Sequence, residues 1–107
     1  MKIAIASEND GMNSTVDGRF GRCPYFAFHD TSTGKTEFVR NPARESSEGA
    51  GPAAVEFVAS RGTGLVMAGD FGTKIRSLLD GLGISMEKVT GKTVAEAIKS
   101  ISINHPE

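Results

Sequence analysis

A chain of 107 residues, 38% hydrophobic and 23% charged, carries enough apolar material to bury a core of its own and reads as one domain spanning 1–107. Its 12 basic and 13 acidic side chains leave a formal net charge of −1, which argues against nucleic-acid binding through a general phosphate-attracting surface. A single cysteine excludes an internal disulfide, no apolar run approaches bilayer-spanning length, and the short apolar stretch Met1–Ser7 is too brief for a secretory segment, so the expected location is the cytoplasm.

Lys2 to Ala6 is predicted as a strand with both faces covered, Ile3 and Ile5 pointing one way and Ala4 and Ala6 the other. Ser7 to Asn13 reads as a polar loop, and Thr15-Val16-Asp17 as a short extended piece before a turn at Gly18 and Gly21. Tyr25 to Asp30 and Lys35 to Arg40 form two strands joined by Thr31-Ser32-Thr33-Gly34 in a hairpin-like connection. Asn41 to Glu48 has no apolar periodicity and is the expected mobile loop.

Gly51-Pro52 opens a first helix, with proline where its missing N–H costs nothing. Ala54, Val55, Phe57 and Val58 supply its apolar side, and Arg61-Gly62 ends it. Gly64 to Ala68 suits a central strand. Gly69 to Thr73 turns it into a second helix, in which Ile75, Leu78, Leu79 and Leu82 have i, i+3, i+4, i+7 spacing. Ile84 to Val89 makes a last strand, and Thr93-Val94-Ala95-Glu96 is a capping box opening a third helix striped by Val94, Ala97, Ile98 and Ile101. Asn104 to Glu107 reads as a frayed end. The order predicts a mixed α/β sheet: an antiparallel hairpin joined to a parallel βαβα half with right-handed crossovers and helices on both faces.

In such sheets ligands bind outside the carboxyl ends of the parallel strands. Three segments are expected at that rim: Ser7-Glu8-Asn9-Asp10, Gly49-Ala50-Gly51 and Gly69-Asp70-Phe71-Gly72. The helix N-termini there carry unpaired N–H groups and partial positive charge. The densest chemistry is Asp17-Gly18-Arg19-Phe20-Gly21-Arg22-Cys23-Pro24, with two guanidinium groups beside the only thiol. Cationic neighbours stabilise a thiolate, and a thiolate is a soft metal ligand. The residues alone leave two readings for Cys23, a ligand or a small buried hydrophobe. His29, inside a strand, reads as structural, and His105 as solvated.

Gly49-x-Gly51-x-x-Ala54, with Asp70 further on, matches a loose dinucleotide pattern, but polar Pro42 to Glu48 stands where that pattern needs a strand. No Walker lysine pattern, paired Cys-x-x-Cys or His-Glu-x-x-His occurs, so neither a P-loop nor a dedicated zinc site is expected.

The run Lys2–Ala6, Gly21-Arg22-Cys23-Pro24-Tyr25-Phe26, Gly49-Ala50-Gly51, Ala68-Gly69-Asp70-Phe71-Gly72, Leu82-Gly83-Ile84 and Gly91-Lys92-Thr93-Val94-Ala95-Glu96-Ala97-Ile98, in this order and spacing, resembles the dinitrogenase iron–molybdenum cofactor biosynthesis family along nearly the whole chain. The resemblance implies a ribonuclease-H-like α/β fold with a five-stranded mixed sheet in order 3-2-1-4-5. It also implies a non-enzymatic carrier that binds and transfers an iron–sulfur or molybdenum-containing metal–sulfur cluster, loosely held, between donor and acceptor proteins. A related type of member holds a molybdenum–copper–sulfide cluster non-covalently. The implied cofactor-binding residues are Arg19, Arg22, Cys23, Gly49, Gly51, Gly69, Asp70 and Gly72, with Cys23 as metal ligand. Some carriers of the family use a histidine, and none stands in the 49–51 or 69–72 loops here. Two other classes stay open at this level. One is a small protein-interaction module; the other is a phosphate-binding, nucleotide-binding or nuclease domain, for which the first strand lacks the carboxylate that two-metal chemistry needs.

Overall fold

The computed structural model describes residues 1–46 and 49–104. There are five strands, β1 (Lys2–Ser7), β2 (Tyr25–Asp30), β3 (Lys35–Arg40), β4 (Thr63–Ala68) and β5 (Ser85–Lys88), of which β4 and β5 alternate with α1 (Ala50–Ser60), α2 (Thr73–Gly81) and α3 (Val94–Asn104). They form one sheet in order β3-β2-β1-β4-β5. β1 and β2 pair antiparallel, as do β2 and β3, whereas β1–β4 and β4–β5 are parallel. The five-stranded mixed sheet of the expected order, with three helices, is therefore present.

The alternation within β1 divides two cores. Ala4 and Ala6 face a cluster with Phe26, Phe28, Val66 and Ala68, closed over by Ala54, Val55 and Val58 of α1 and by Ile75 and Leu79 of α2. Ile3 and Ile5 face the opposite cluster with Ala27, Leu65 and Met67, covered by Val94, Ala97 and Ile101 of α3. Each fully buried Val, Leu, Ile, Phe or Met side chain stabilises the fold by roughly 1.5–3 kcal/mol. Small residues on one face of β1 let α1 and α2 sit close, and branched residues on the other fill the wider space under a lone helix.

The capping box forms as predicted: Glu96 N donates to Thr93 Oγ1 at 3.1 Å and Thr93 N donates to Glu96 Oε1 at 2.9 Å. That Glu96 accepts from Thr93 also holds its carboxyl below the usual carboxylate range. Two expectations need correction. The predicted mobile loop is structured through Ser46, because Pro42–Glu45 is a 3₁₀ turn capped by the side chain of Asn41; Ser47 and Glu48 lie outside the described residues. The fraying expected from Asn104 onward does not start at that residue, since Asn104 still belongs to α3; His105 to Glu107 lie outside the described residues.

Candidate binding groove

The first-strand direction puts the 18–24 loop, the start of α1 and the start of α2 at one end of the sheet. They enclose a groove of about 350 Å³ lined by Gly18, Arg19, Gly21, Arg22, Gly51, Asp70, Gly72 and others. Glycine makes this approach possible. A Cβ on Gly21 would stand 2.9 Å from Gly51 Cα, and one on Gly69 would stand 2.6 Å from Gly18 Cα. Both are backbone-on-backbone contacts that no side chain fits between. The Asp17 main chain ties the same corner, donating to Ala6 O at 2.8 Å and accepting from Gly69 N at 2.9 Å.

Both helices that meet the groove begin on glycine, Gly49 for α1 and Gly72 for α2, so neither N-cap brings a side-chain acceptor to the first-turn amides. Gly49 adopts φ 71°, a left-handed conformation that favours glycine. Gly51, Asp70 and Gly72 line the groove, whereas Gly49 and Gly69 do not. The Ser7–Asp10 segment, expected here, does not: Ser7 Oγ donates to Asn9 O at 2.6 Å and Glu8 N to Thr15 O at 3.1 Å, folding that loop against residues 14–15.

The charged groups differ in freedom. Arg19 is exposed on the lip, and its Nε reaches Oδ1 of buried Asp17 at 3.3 Å. Hydrogen bonding to Asp17, then that residue's charge, raises its already high pKa. Arg22 spans the gap to the 3₁₀ turn, donating from Nη1 to Arg44 O at 3.1 Å and Ser46 O at 3.3 Å. Asp70 pairs with Lys88 at 3.3 Å, and that hydrogen bond holds its carboxyl below the usual range, so the one acidic group of the groove carries its own counter-charge.

Cys23 overturns the thiolate expectation. Its side chain has no exposed surface and packs in the Phe20, Phe26 and Val55 cluster. Its Sγ donates to Phe20 O at 3.3 Å, and Asn41 Nδ2 lies 3.7 Å from it. Burial first, then the charge of Asp17, pushes the thiol up to about 12, so the neighbouring arginines do not create a thiolate. The groove accordingly offers no soft ligand, and among the described residues no group of three or more His, Cys, Asp or Glu could hold a metal ion. What it offers is hydrogen-bond donors and positive charge. His29, as expected, is structural: its Nδ1 shares a 2.8 Å hydrogen bond with Thr36 Oγ1, and burial lowers its pKa.

Sequence reasoning missed the two polar residues that build the groove. Asn41, 4% exposed, donates from Nδ2 to Gly21 O at 3.0 Å and Cys23 O at 2.9 Å and accepts from Ala43 N at 3.0 Å. Asp17, equally buried, accepts from Arg19 N at 2.8 Å. The signals were present, in Asn before Pro at a turn and Asp two residues before an amide it can accept from.

The fold and groove define a class, small mixed α/β proteins whose strand ends carry a glycine-built, amide-rich and cation-lipped cleft. Residues 1–103 match the family model described as dinitrogenase iron-molybdenum cofactor, and the chain belongs to that family. Among solved structures it is similar to the apo form of the orange protein from Desulfovibrio gigas, with 32% identity, TM-score 0.90, 96% of this chain and 88% of that chain covered. It is similar as well to a putative NifB protein from Thermotoga, with 32% identity, TM-score 0.82 and coverage of 95% and 87%. A comparison with curated protein sequences returns no match. The family's description names a cofactor rather than a reaction, and no described helix is long and apolar enough to cross a membrane.

Proposed function

We propose that this protein is a non-enzymatic cytoplasmic carrier of an anionic metal–sulfur cluster or its precursor, of the molybdenum-containing or iron–sulfur kind, passed between donor and acceptor proteins. The cargo sits in the groove without a protein–metal bond. Family membership supports the cargo class. The observation that carries the mode of binding is the contrast within one loop: Arg19 and Arg22 stand at the mouth of the groove while the sole thiol is sealed in the core. Bridging and terminal sulfides are anionic acceptors. First-turn amides of α1 and α2 and the Arg19 guanidinium can donate to them in the manner of a helix-terminus anion site. Hydrogen bonds and charge alone hold such a guest loosely, as a transfer step requires. Arg19, Arg22, Gly51, Asp70 and Gly72 form the proposed contact set, with Gly49 and Gly69 shaping it; Asp70, paired to Lys88, orients rather than attracts.

The sheet order and its antiparallel flank support a ribonuclease-H-like assignment of the fold. Nuclease chemistry does not follow from it, because β1 reads Lys-Ile-Ala-Ile-Ala-Ser and supplies no carboxylate for a metal pair. The dinucleotide reading fares no better, since a 3₁₀ turn, not a strand, is the element preceding α1.

Anaerobic incubation with tetrathiomolybdate, with and without copper(I), and with a molybdenum–iron–sulfur cluster tests the proposal. Visible absorbance and stoichiometric metal co-eluting with the protein are expected for at least one of them. Colourless, metal-free protein after every reconstitution sinks the carrier reading and leaves an interaction module.

A further inference from the structure

A second hollow, of about 300 Å³, opens at the same end of the sheet and shares no lining residue with the groove. Its walls include Pro24, Tyr25, Arg40, Pro42, Arg44 and Glu45. The β2–β3 register sets Tyr25 directly across from Arg40, so ring and guanidinium rise from the same face of the sheet. Arg44 projects from a turn whose main chain is pinned on both sides: its N donates to Asn41 O at 3.3 Å and its carbonyl accepts from Arg22 at 3.1 Å. Both cations therefore grow from fixed backbone.

These two guanidinium groups differ from three others in the molecule. Arg19 is engaged by Asp17, Arg22 by main-chain carbonyls, and Arg61 by Glu37 at 2.7 Å and by the Phe28 ring, 4.4 Å from its centroid. Among the described residues Arg40 and Arg44 enter no ion pair. Two arginines against one glutamate give the hollow a formal charge of +1, suited to a monoanion. The guanidinium fork matches a carboxylate bidentately. Two proline rings and the tyrosine ring form apolar walls, and prolines with fixed φ lose little freedom when a ligand settles on them.

We propose that this hollow is a binding site for a carboxylate carried on an apolar body, its charge held by Arg40 and Arg44 and its body laid on Tyr25, Pro24 and Pro42. The chemistry has two sources, a free small organic acid or the C-terminal carboxylate of a partner polypeptide ending in an apolar residue. The inference is independent of the cargo assigned to the groove.

Titration of the ¹⁵N-labelled protein with 3-phenylpropionate, 3-phenylpropanol, acetate and the peptide acetyl-Gly-Gly-Phe, followed by amide shifts, tests it. Saturable shifts at Tyr25, Arg40, Arg44 and Glu45 are expected with 3-phenylpropionate, and none with the alcohol. Arg40→Gln and Arg44→Gln, both at exposed positions, should each weaken binding while keeping a native spectrum, and together by about tenfold or more, roughly 1.4 kcal/mol. Binding of the peptide at least as tight as the free acid assigns the site to a partner's terminus; saturation by the free acid alone assigns it to a small metabolite. No saturable shift with either, equal binding of the alcohol, acetate as tight as 3-phenylpropionate, or shifts confined to Gly21, Gly51 and Gly72 overturns the proposal.

Discussion

Arg19 and Arg22 face outward from the 18–24 loop, while Phe20 and Cys23, one step further along in each case, face inward. Outward groups meet the groove and solvent. Inward ones join the aromatic core, where the ring of Phe20, which also lines the groove, lies 5.5 Å from the Phe26 ring and 5.8 Å from the Phe71 ring. Four residues that look like one chemical cluster in sequence thus belong to two environments with opposite electrostatics. A thiol among arginines is made reactive only if they share a dielectric, and here burial wins over proximity.

The sharpest break between the two environments should come from the residue that joins them. Asn41→Ala leaves Gly21 O, Cys23 O and Ala43 N without their partner inside the protein, and a loss of about 2–4 kcal/mol in urea unfolding is expected, two or more unsatisfied groups at roughly 1–3 kcal/mol each, partly relieved by relaxation. Next are the glycines. Gly69→Ala drives a Cβ into Gly18 backbone and should cost about 1–3 kcal/mol, whereas Gly72→Ala, with φ −66° and nothing near its Cβ, should stay within about 0.5 kcal/mol. Equal melting temperatures for the two variants would show that the close approach is not what fixes the corner.

Cys23→Ala should cost about 1–2 kcal/mol, the loss of one buried sulfur and its packing. The wild type should also lose stability as pH rises from 9.0 towards about 12. The folded thiol keeps its proton in that window while the unfolded chain's thiol gives it up, so the folded state binds the extra proton and the slope is negative. Urea midpoints across that window should fall less steeply for Cys23→Ala; parallel curves would mean that the thiol is not shielded. Arg19→Gln, on an exposed side chain whose pairing with Asp17 at 3.3 Å is screened by solvent, should leave the urea midpoint unchanged.

Strand positions and the capping box at Thr93 were legible because alternation and a reciprocal Thr–Glu pair are local signals. The βαβα half followed from its element order, but the placing of β2 and β3 beside β1 came from family resemblance, since spacing does not decide which strand edge a hairpin joins. The α2 stripe was half right: Ile75 and Leu79 are buried, while Leu78 and Leu82 remain 36% and 57% exposed, because a helix lying over the short edge strand β5 buries a narrower face than its apolar residues could cover. In the groove, the glycine loops and arginines could be read from residue type. The fate of Cys23 could not, and the local turn signals at Asn41 and Asp17 do not reveal their long-range partners, Gly21 for Asn41 and Gly69 for Asp17, because these depend on which side of a turn faces the core.

The most direct trial of how cargo is held is a side-by-side anaerobic titration of wild type, Cys23→Ala and the double variant Arg19→Gln/Arg22→Gln with whichever thiometallate the wild type retains, read as visible absorbance. Cargo held by donors and charge without a protein–metal bond requires affinity within about threefold of wild type for Cys23→Ala, and about tenfold or more weaker for the arginine variant. Loss of binding in Cys23→Ala, with the arginine variant unaffected, would contradict it.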